Sequence, residues 1–253
     1  MRTAIVIPAR YSSTRLPAKP LLRSTGKYLI QHVYERACEA KCVRLVIIAT
    51  DDSRIAAAVE GFGGNVVLTR ADHASGTDRV AEVAEDLDVD VIVNLQGDEP
   101  EIFPEYLDRL PALLAAEPEA DMATLSVPIR NKSEWQDPSI VKVVCDERGR
   151  ALYFSRSPIP FVRDGEPDFL ARPSRFLHHL GVYAYRREFL LQLAAKPPSP
   201  VEQLEKLEQL RVLVHGGRIQ VGIVPQGSAG VDTLEEYEGF VRRYRQRLLV
   251  PAA

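Results

Sequence analysis

The chain predicts an α/β fold: a doubly wound, mostly parallel sheet with a β-rich insertion over residues 128–218. Three observations predict it. Up to residue 127, short apolar runs alternate with amphipathic stretches, the βαβ rhythm of right-handed crossovers. Those runs end in polar or turn-forming residues, at the strand ends where open α/β sheets bind ligands. After about residue 128 the rhythm gives way to strand pairs and a polar loop. At 253 residues the chain can bury a sizeable core, and residues 1–253 are read as a single domain carrying that insertion.

The elements follow in order. Ala4 to Ile7 is a buried strand bounded by Pro8. Val43 to Ala49 is a second strand, ending at Thr50-Asp51-Asp52, whose side chains can cap a helix from Ser53 to Glu60. Gly61, Gly63 and Gly64 stop that helix. Val66 to Leu68 is a short strand, Gly76 to Glu85 a helix, and Val89 to Leu95 a fourth strand ending in Gln96-Gly97-Asp98-Glu99-Pro100. Leu107 to Ala116 is helical and Met122 to Val127 strand-like. In the insertion, Val141 to Val144 and Ala151 to Phe154 form a hairpin through Asp146-Glu147-Arg148-Gly149. Asp164 to Ser174 reads as an exposed, mobile loop, and Val201 to Val214 as one helix with Glu202 and Lys206 paired at i,i+4. Ile219 to Val224 is a strand, and Leu234 to Leu249 a closing helix.

Charge is unevenly placed. The chain carries a formal net charge of −3, yet its first thirty-four residues hold Arg2, Arg10, Arg15, Lys19, Arg23 and Lys27 with no Asp or Glu. Overall acidity argues against bulk nucleic-acid binding, so the field is local. Arg10, Arg15 and Lys19, at five- and four-residue spacing, punctuate the loop after the first strand and can converge on one polyphosphate. The alternative is a solvated loop stiffened by proline. The three cysteines form no CxxC pair, so buried thiols in a reducing, cytoplasmic setting are expected. Residues 1–10 lack the apolar length of a signal peptide, and no run of about eighteen apolar residues reads as a membrane span.

Three more candidates carry chemistry. Asp98 sits at a strand's carboxyl end, facing a cationic loop; a divalent metal between acid and phosphate would explain it, since Mg²⁺ takes carboxylates plus phosphate oxygens. Asp232, in Gly230-Val231-Asp232-Thr233, offers a second acid, although it could equally be a helix N-cap with Glu235 as partner. Asp98 could also cap its own turn. Ala71 to Arg79 starts a helix at Ser75-Gly76-Thr77, where backbone N–H groups can meet a ligand acceptor; the plainer reading is a capped helix with an exposed His73. No GxxxxGK[ST] loop and no GxGxxG fingerprint is present.

In chain order, IPARYSSTRLPAKPL, HASGTDR, NLQGDEP, LYFSRSPIP, HLGVYAYR, LEKLEQLR and GVDT resemble the 3-deoxy-manno-octulosonate (Kdo) cytidylyltransferases, over about residues 3–240. The opening segment alone is shared with other sugar nucleotidyltransferases. The resemblance implies a Rossmann-like nucleotidyltransferase fold and an Mg²⁺-dependent, cytoplasmic homodimer. It implies transfer of CMP from CTP to Kdo with release of pyrophosphate, for lipopolysaccharide biosynthesis. It assigns Ala9, Arg10, Arg15, Lys19, Ser75, Gly76 and Arg79 to the nucleotide and Asp98 and Asp232 to the metal, with Arg10, Arg15, Lys19 and Asp98 as the catalytic set. Gln96, Arg156, His179, Tyr183, Glu208 and Gln209 would line a sugar pocket, and the insertion would supply both that pocket and the dimer interface. Apart from the resemblance, His179 and Tyr183 could fill space between sheet and insertion, and Arg156, Glu208 and Gln209 could form an interface or surface network, with Glu208 able to pair with Arg211 or Arg156.

Two positions depart from the family pattern. Ala18 stands where relatives usually carry Gly, a change costing about 1 kcal/mol if the backbone there needs φ > 0. Tyr28 stands where Pro is usual. The same loop suits a cytidylyltransferase for a sialic acid or an amino-substituted Kdo, or a catalytically idle nucleotide-binding homologue. Retention of both Asp98 and Asp232 argues against the idle form.

Overall fold

A computed structural model describes residues 1–12, 15–170 and 175–249. The first part of the chain forms β1 (Thr3–Ala9), α1 (Leu29–Cys38), β2 (Val43–Thr50), α2 (Ser53–Gly61), β3 (Val66–Leu68) and α3 (Gly76–Glu85). Then come β4 (Val91–Asn94), α4 (Pro104–Ala116), β5 (Met122–Pro128), α5 (Lys132–Gln136), β6 (Lys142–Cys145), β7 (Ala151–Ser155) and β8 (Leu177–Arg186). The chain continues with α6 (Arg187–Ala194), α7 (Pro200–Glu205), α8 (Gln209–Val214), β9 (Ile219–Ile223) and α9 (Leu234–Leu249). Two compact units are formed. One comprises Arg2–Asp88, Asn94–Leu107 and the residues from Ser228 onward; the other comprises Val89–Val93 and Asp108–Gly227, with Met1. The expected insertion, 128–218, lies within the second.

In the first unit β3, β2 and β1 are parallel neighbours in that order. Every residue of β1 is buried, as a parallel strand covered on both faces requires. β1 runs through Pro8 to Ala9, where a stop at Pro8 was expected; Pro8 holds its register opposite Ala49. Helix α1 buries Leu29, Ile30, His32, Val33 and Ala37, an apolar stripe at helical spacing. Asp52 caps α2 by accepting from Arg54 N, and Ser75 with Asp78 closes a reciprocal capping box on α3. Leu16, Leu29, Val231, Tyr237, Phe240 and Val241 form a buried cluster that pins the cationic loop and the start of α9 together.

In the second unit β5 pairs antiparallel with β8 and parallel with β9, while β6 pairs antiparallel with β7 and β8. The β6–β7 hairpin turns at Gly149, whose φ of 78 is the left-handed conformation glycine adopts freely. Between Thr124 and Leu125 the β5–β8 register shifts, so Thr124 faces Tyr183 while Leu125 faces Leu180. The expected loop at 164–174 is exposed at Asp164, Gly165 and Glu166, but Phe169 is anchored 4.9 Å from Phe176; residues 171–174 lie outside the described residues.

Five expectations are corrected. The helix expected over Val201–Val214 is two helices, broken where Lys206 adopts φ 55, ψ 47. With Lys206 off the helix the i,i+4 pair is lost, and Glu202 instead takes Arg211 through bonds of 2.6, 2.9 and 3.2 Å, both side chains being buried. Cys38 is exposed at the end of α1, where a buried thiol was expected. The β4 strand is shorter than expected and α4 longer. No disulfide joins the described cysteines, and no helix among the described residues is long and apolar enough to cross a membrane.

Candidate active site

The first unit gathers the cationic loop and both carboxylates. The Lys19 ammonium donates to Asp98 Oδ2 at 2.8 Å and to Asp232 Oδ1 at 3.0 Å, and Arg15 lies 3.1 Å from Asp232 Oδ2. Burial opposes the Lys19 charge, but Asp98 and then Asp232 outweigh it and raise its pKa above the usual value. Asp98 hangs from the turn after β4, closed by Glu99 N donating to Gln96 O. The main-chain bond from Val231 N to Asp98 O, 2.8 Å long, ties that turn to the Asp232 segment.

Capping does not account for Asp232. The cap of α9 is made by Thr233 and Glu236: Glu236 Oε2 accepts from Asp232 N and Thr233 N, and Thr233 Oγ1 accepts from Glu236 N. Glu236 takes the place expected of Glu235, and the Asp232 carboxylate is left to the two cations. A hard divalent ion suits this donor set, because two carboxylate oxygens already share one point of positive charge. Among the described residues no group of three or more His, Cys, Asp or Glu could hold a metal. Mg²⁺ usually completes one or two carboxylates with water and phosphate oxygens.

The strand ends around this cluster are close-fitting. A side chain at Gly97 would begin 3.0 Å from Pro8 O and 3.2 Å from Ile30 Cδ1, so glycine lets the turn pass β1 without a shift of its neighbours. Gly76, at the first turn of α3, sits over Pro8 with Gln96 close by. Ala9 is buried at the end of β1, and Arg10 Nη2 donates to His73 O at 3.1 Å. The His73 ring is not exposed: it is 5 % accessible and bonded to Glu82. Ser75 spends its hydroxyl on the capping box. Arg79 is fully buried, 3.2 Å from Asp51 and bonded to Thr69, with its Nε unpartnered, so it stands behind the α3 start. Gln96 donates to Asn94 at 3.2 Å, and buried Asn94 donates to Thr77.

In the second unit His179, Tyr183 and Gln209 come together. Four residues of straight strand would separate His179 and Tyr183 by about 13 Å. The register shift in β8 folds that distance to 5.5 Å between ring centroids. Gln209 lies 3.5 Å from both His179 Nδ1 and the Tyr183 hydroxyl, and His179 Nε2 is 2.9 Å from Thr124 Oγ1. Burial pushes the His179 pKa down to about 3. Burial, and then the charge of Glu208, push that of Tyr183 up. Glu208 is exposed at the start of α8. Arg156 donates to Glu205 O at 2.8 Å and to Pro138 O at 3.0 Å. Arg211 pairs with Glu202 at 2.6 Å, and its main-chain N donates to Glu208 O at 3.0 Å.

The chain matches the family model described as cytidylyltransferase over residues 4–219. It is 52% identical, over 93% of its own length and 96% of the relative's, to the 3-deoxy-manno-octulosonate cytidylyltransferase of Syntrophotalea carbinolica. The chain belongs to that family. The enzyme of the same name from Syntrophobacter fumaroxidans is also 52% identical, over 95% and 96% of the two chains. Among solved structures, CMP:2-keto-3-deoxy-manno-octonic acid synthetase complexed with CTP matches with a TM-score of 0.90 and 46% identity, covering 98% of this chain and all of that one. The mixed α/β fold with a mostly parallel central sheet is common to both.

Four residues, one in the first unit and three in the second, carry no signature of their partnerships in the sequence. Glu99 accepts from Ser228 at 2.7 Å; burial above all, then Asp98 and Asp232, push its pKa up to about 7. Its place in the DEP turn was visible, but its burial was not. Glu205 binds Ser155 and the Arg156 main chain, and Lys142 gives its ammonium to three carbonyls, Asp137, Ile140 and Arg156, at 2.6–2.8 Å. Thr124 looked like one more residue of a buried strand.

Proposed function

We infer that this chain activates 3-deoxy-manno-octulosonate, converting CTP and Kdo to CMP-Kdo and pyrophosphate. The observation that carries it is 52% identity over 93% of the chain with a cytidylyltransferase of that name, a span that takes in both side-chain clusters. In the reaction the anomeric hydroxyl of the sugar attacks the α-phosphorus of CTP. A new P–O bond forms, the bond to the bridging oxygen breaks, and pyrophosphate leaves with the electron pair.

The residues fit that chemistry. Arg10, Arg15 and Lys19 would hold the triphosphate and neutralise charge growing on pyrophosphate, the largest contribution a protein makes to such transfers. Ala9, Ser75 and Gly76 would meet the nucleoside, Ser75 and Gly76 through α3's N-terminal backbone, with Arg79 bracing them from behind. Asp98 and Asp232 would hold Mg²⁺, Lys19 then turning from the carboxylates to phosphate. Bound there, the ion would lower the pKa of the sugar hydroxyl and polarise the α-phosphate. Gln96, Arg156, His179, Tyr183, Glu208 and Gln209 would bind the sugar, Arg156 as partner for its carboxylate. The product would feed lipopolysaccharide synthesis in the cytoplasm, and the enzyme would act as a homodimer through the unit that holds the insertion.

Pyrophosphate release from CTP and Mg²⁺ tests this, with Kdo, N-acetylneuraminic acid or no sugar added. Release that depends on Kdo is expected. Release only with another acid sugar would overturn the substrate, and no release from protein that binds CTP would point to an idle homologue.

A further inference from the structure

We propose that Thr124 is a positioning residue: its hydroxyl sets the tautomer of His179, and through it the direction in which Gln209 and Tyr183 present their polar atoms. This rests on the reading that His179, Gln209 and Tyr183 belong to the sugar site.

Thr124 is fully buried on β5 at the register shift, and its hydroxyl carries one proton. Val182 O lies at 2.8 Å and Leu180 O at 3.2 Å, and a carbonyl can only accept. The proton goes to the nearer carbonyl. Toward His179 Nε2, 2.9 Å away, the hydroxyl is then an acceptor, so Nε2 must carry the ring hydrogen. Burial disfavours a second ring proton, which leaves Nδ1 bare.

A bare Nδ1 orients Gln209. The group 3.5 Å from Nδ1 must be the amide NH₂, which turns Oε1 the other way, 3.5 Å from the Tyr183 hydroxyl. Tyr183 donates to that oxygen, and its own oxygen keeps only lone pairs to offer. The chain of hydrogen bonds runs one way, from Tyr183 through Gln209 and His179 to Thr124 and the Val182 carbonyl. At its Tyr183 end it presents an acceptor, which suits the proton of a sugar hydroxyl. A reversed ring would reverse the amide, so that Tyr183 would accept from the NH₂ group and present its proton, a donor, in place of lone pairs. Thr124 does all this without being placed against substrate, and the β8 shift brings both of its carbonyl acceptors to the same hydroxyl.

The test uses the full-length enzyme with ¹⁵N-labelled histidine, comparing parent, Thr124→Val and Thr124→Ser. In the parent, His179 should give the Nε2–H neutral tautomer from pH 5 to 8. Thr124→Val, which keeps the shape and loses the hydroxyl, should mix or reverse the tautomer. It should raise KM for the sugar roughly tenfold, the worth of about one oriented hydrogen bond, with KM for CTP unmoved. Thr124→Ser should restore both readings. A parent ring protonated at Nδ1 overturns the proposal, as does a valine variant with an unaltered tautomer. A reversed tautomer with an unmoved sugar KM would instead refute the assignment of this cluster to the sugar, and the proposal would fall with it.

Discussion

Lys19→Met should make the protein bind Mg²⁺ more tightly when no nucleotide is present. The ammonium sits 2.8 Å from one Asp98 oxygen and 3.0 Å from one Asp232 oxygen, so those oxygens are no more than about 5.8 Å apart. Two unit charges at roughly 5.5 Å repel by about 0.8 kcal/mol in water and about 3 kcal/mol at an effective dielectric of 20. The Asp98 and Asp232 side chains are 30 % and 41 % exposed, which favours the lower half of that range. Lys19 relieves this repulsion in the free protein, and a divalent ion must displace it to reach the same oxygens. Removing the ammonium leaves repulsion that Arg15, on Asp232 alone, relieves only in part and a metal would relieve further; about 1.4 kcal/mol corresponds to tenfold in affinity. Mn²⁺ titration followed by electron paramagnetic resonance, with Mg²⁺ as competitor, reads the change directly. Dissociation constants about tenfold lower in the variant, with the gain shrinking as salt rises, are expected. Equal or weaker binding would refute the placing of the ion between Asp98 and Asp232. Turnover should fall steeply in the same variant, because methionine cannot neutralise the triphosphate.

Two further outcomes follow from backbone and burial. Ala18 adopts φ 53, ψ 26, the left-handed conformation that glycine enters more freely than alanine. Ala18→Gly should stabilise the protein by about 0.5–1 kcal/mol in urea unfolding and tighten CTP binding; a loss of stability would show that the left-handed turn costs alanine nothing. Acid should destabilise the fold through His179 and His32, whose pKa values burial pushes down to about 3 and about 4. The unfolded chain takes up protons near pH 6.5 while the folded rings stay neutral. Their contribution is whole above that pH and declines as pH falls toward 4, by up to about 1.4 kcal/mol per pH unit for His179. His179→Gln should flatten the stability–pH curve between 6.5 and 4, and an unchanged slope would mean that the ring is not held neutral.

What could be read from the sequence divides along a physical line. Strand ends and their charged residues were legible, because an acid or a base beside an apolar run has few structural reasons to be there. Asp98, Arg15 and Lys19 stood out in this way, and the structure brings them together with Asp232. Partnerships across the chain were not legible. Asp232 could be separated from a helix cap only once Thr233 and Glu236 were seen to make the cap. The break at Lys206 carries neither glycine nor proline, and the buried Glu202–Arg211 pair that spans it joins residues nine apart. The sugar-side cluster shows the limit most clearly. His179 and Tyr183 at i,i+4 belong on one face of a regular strand but far apart, and only the register shift against Thr124 brings them into one group. A lone threonine in a buried strand has no signature of that role. Its hydroxyl acquires direction only from two carbonyls of another strand, so chemistry of this kind becomes readable when backbone acceptors as well as side chains are followed to their partners.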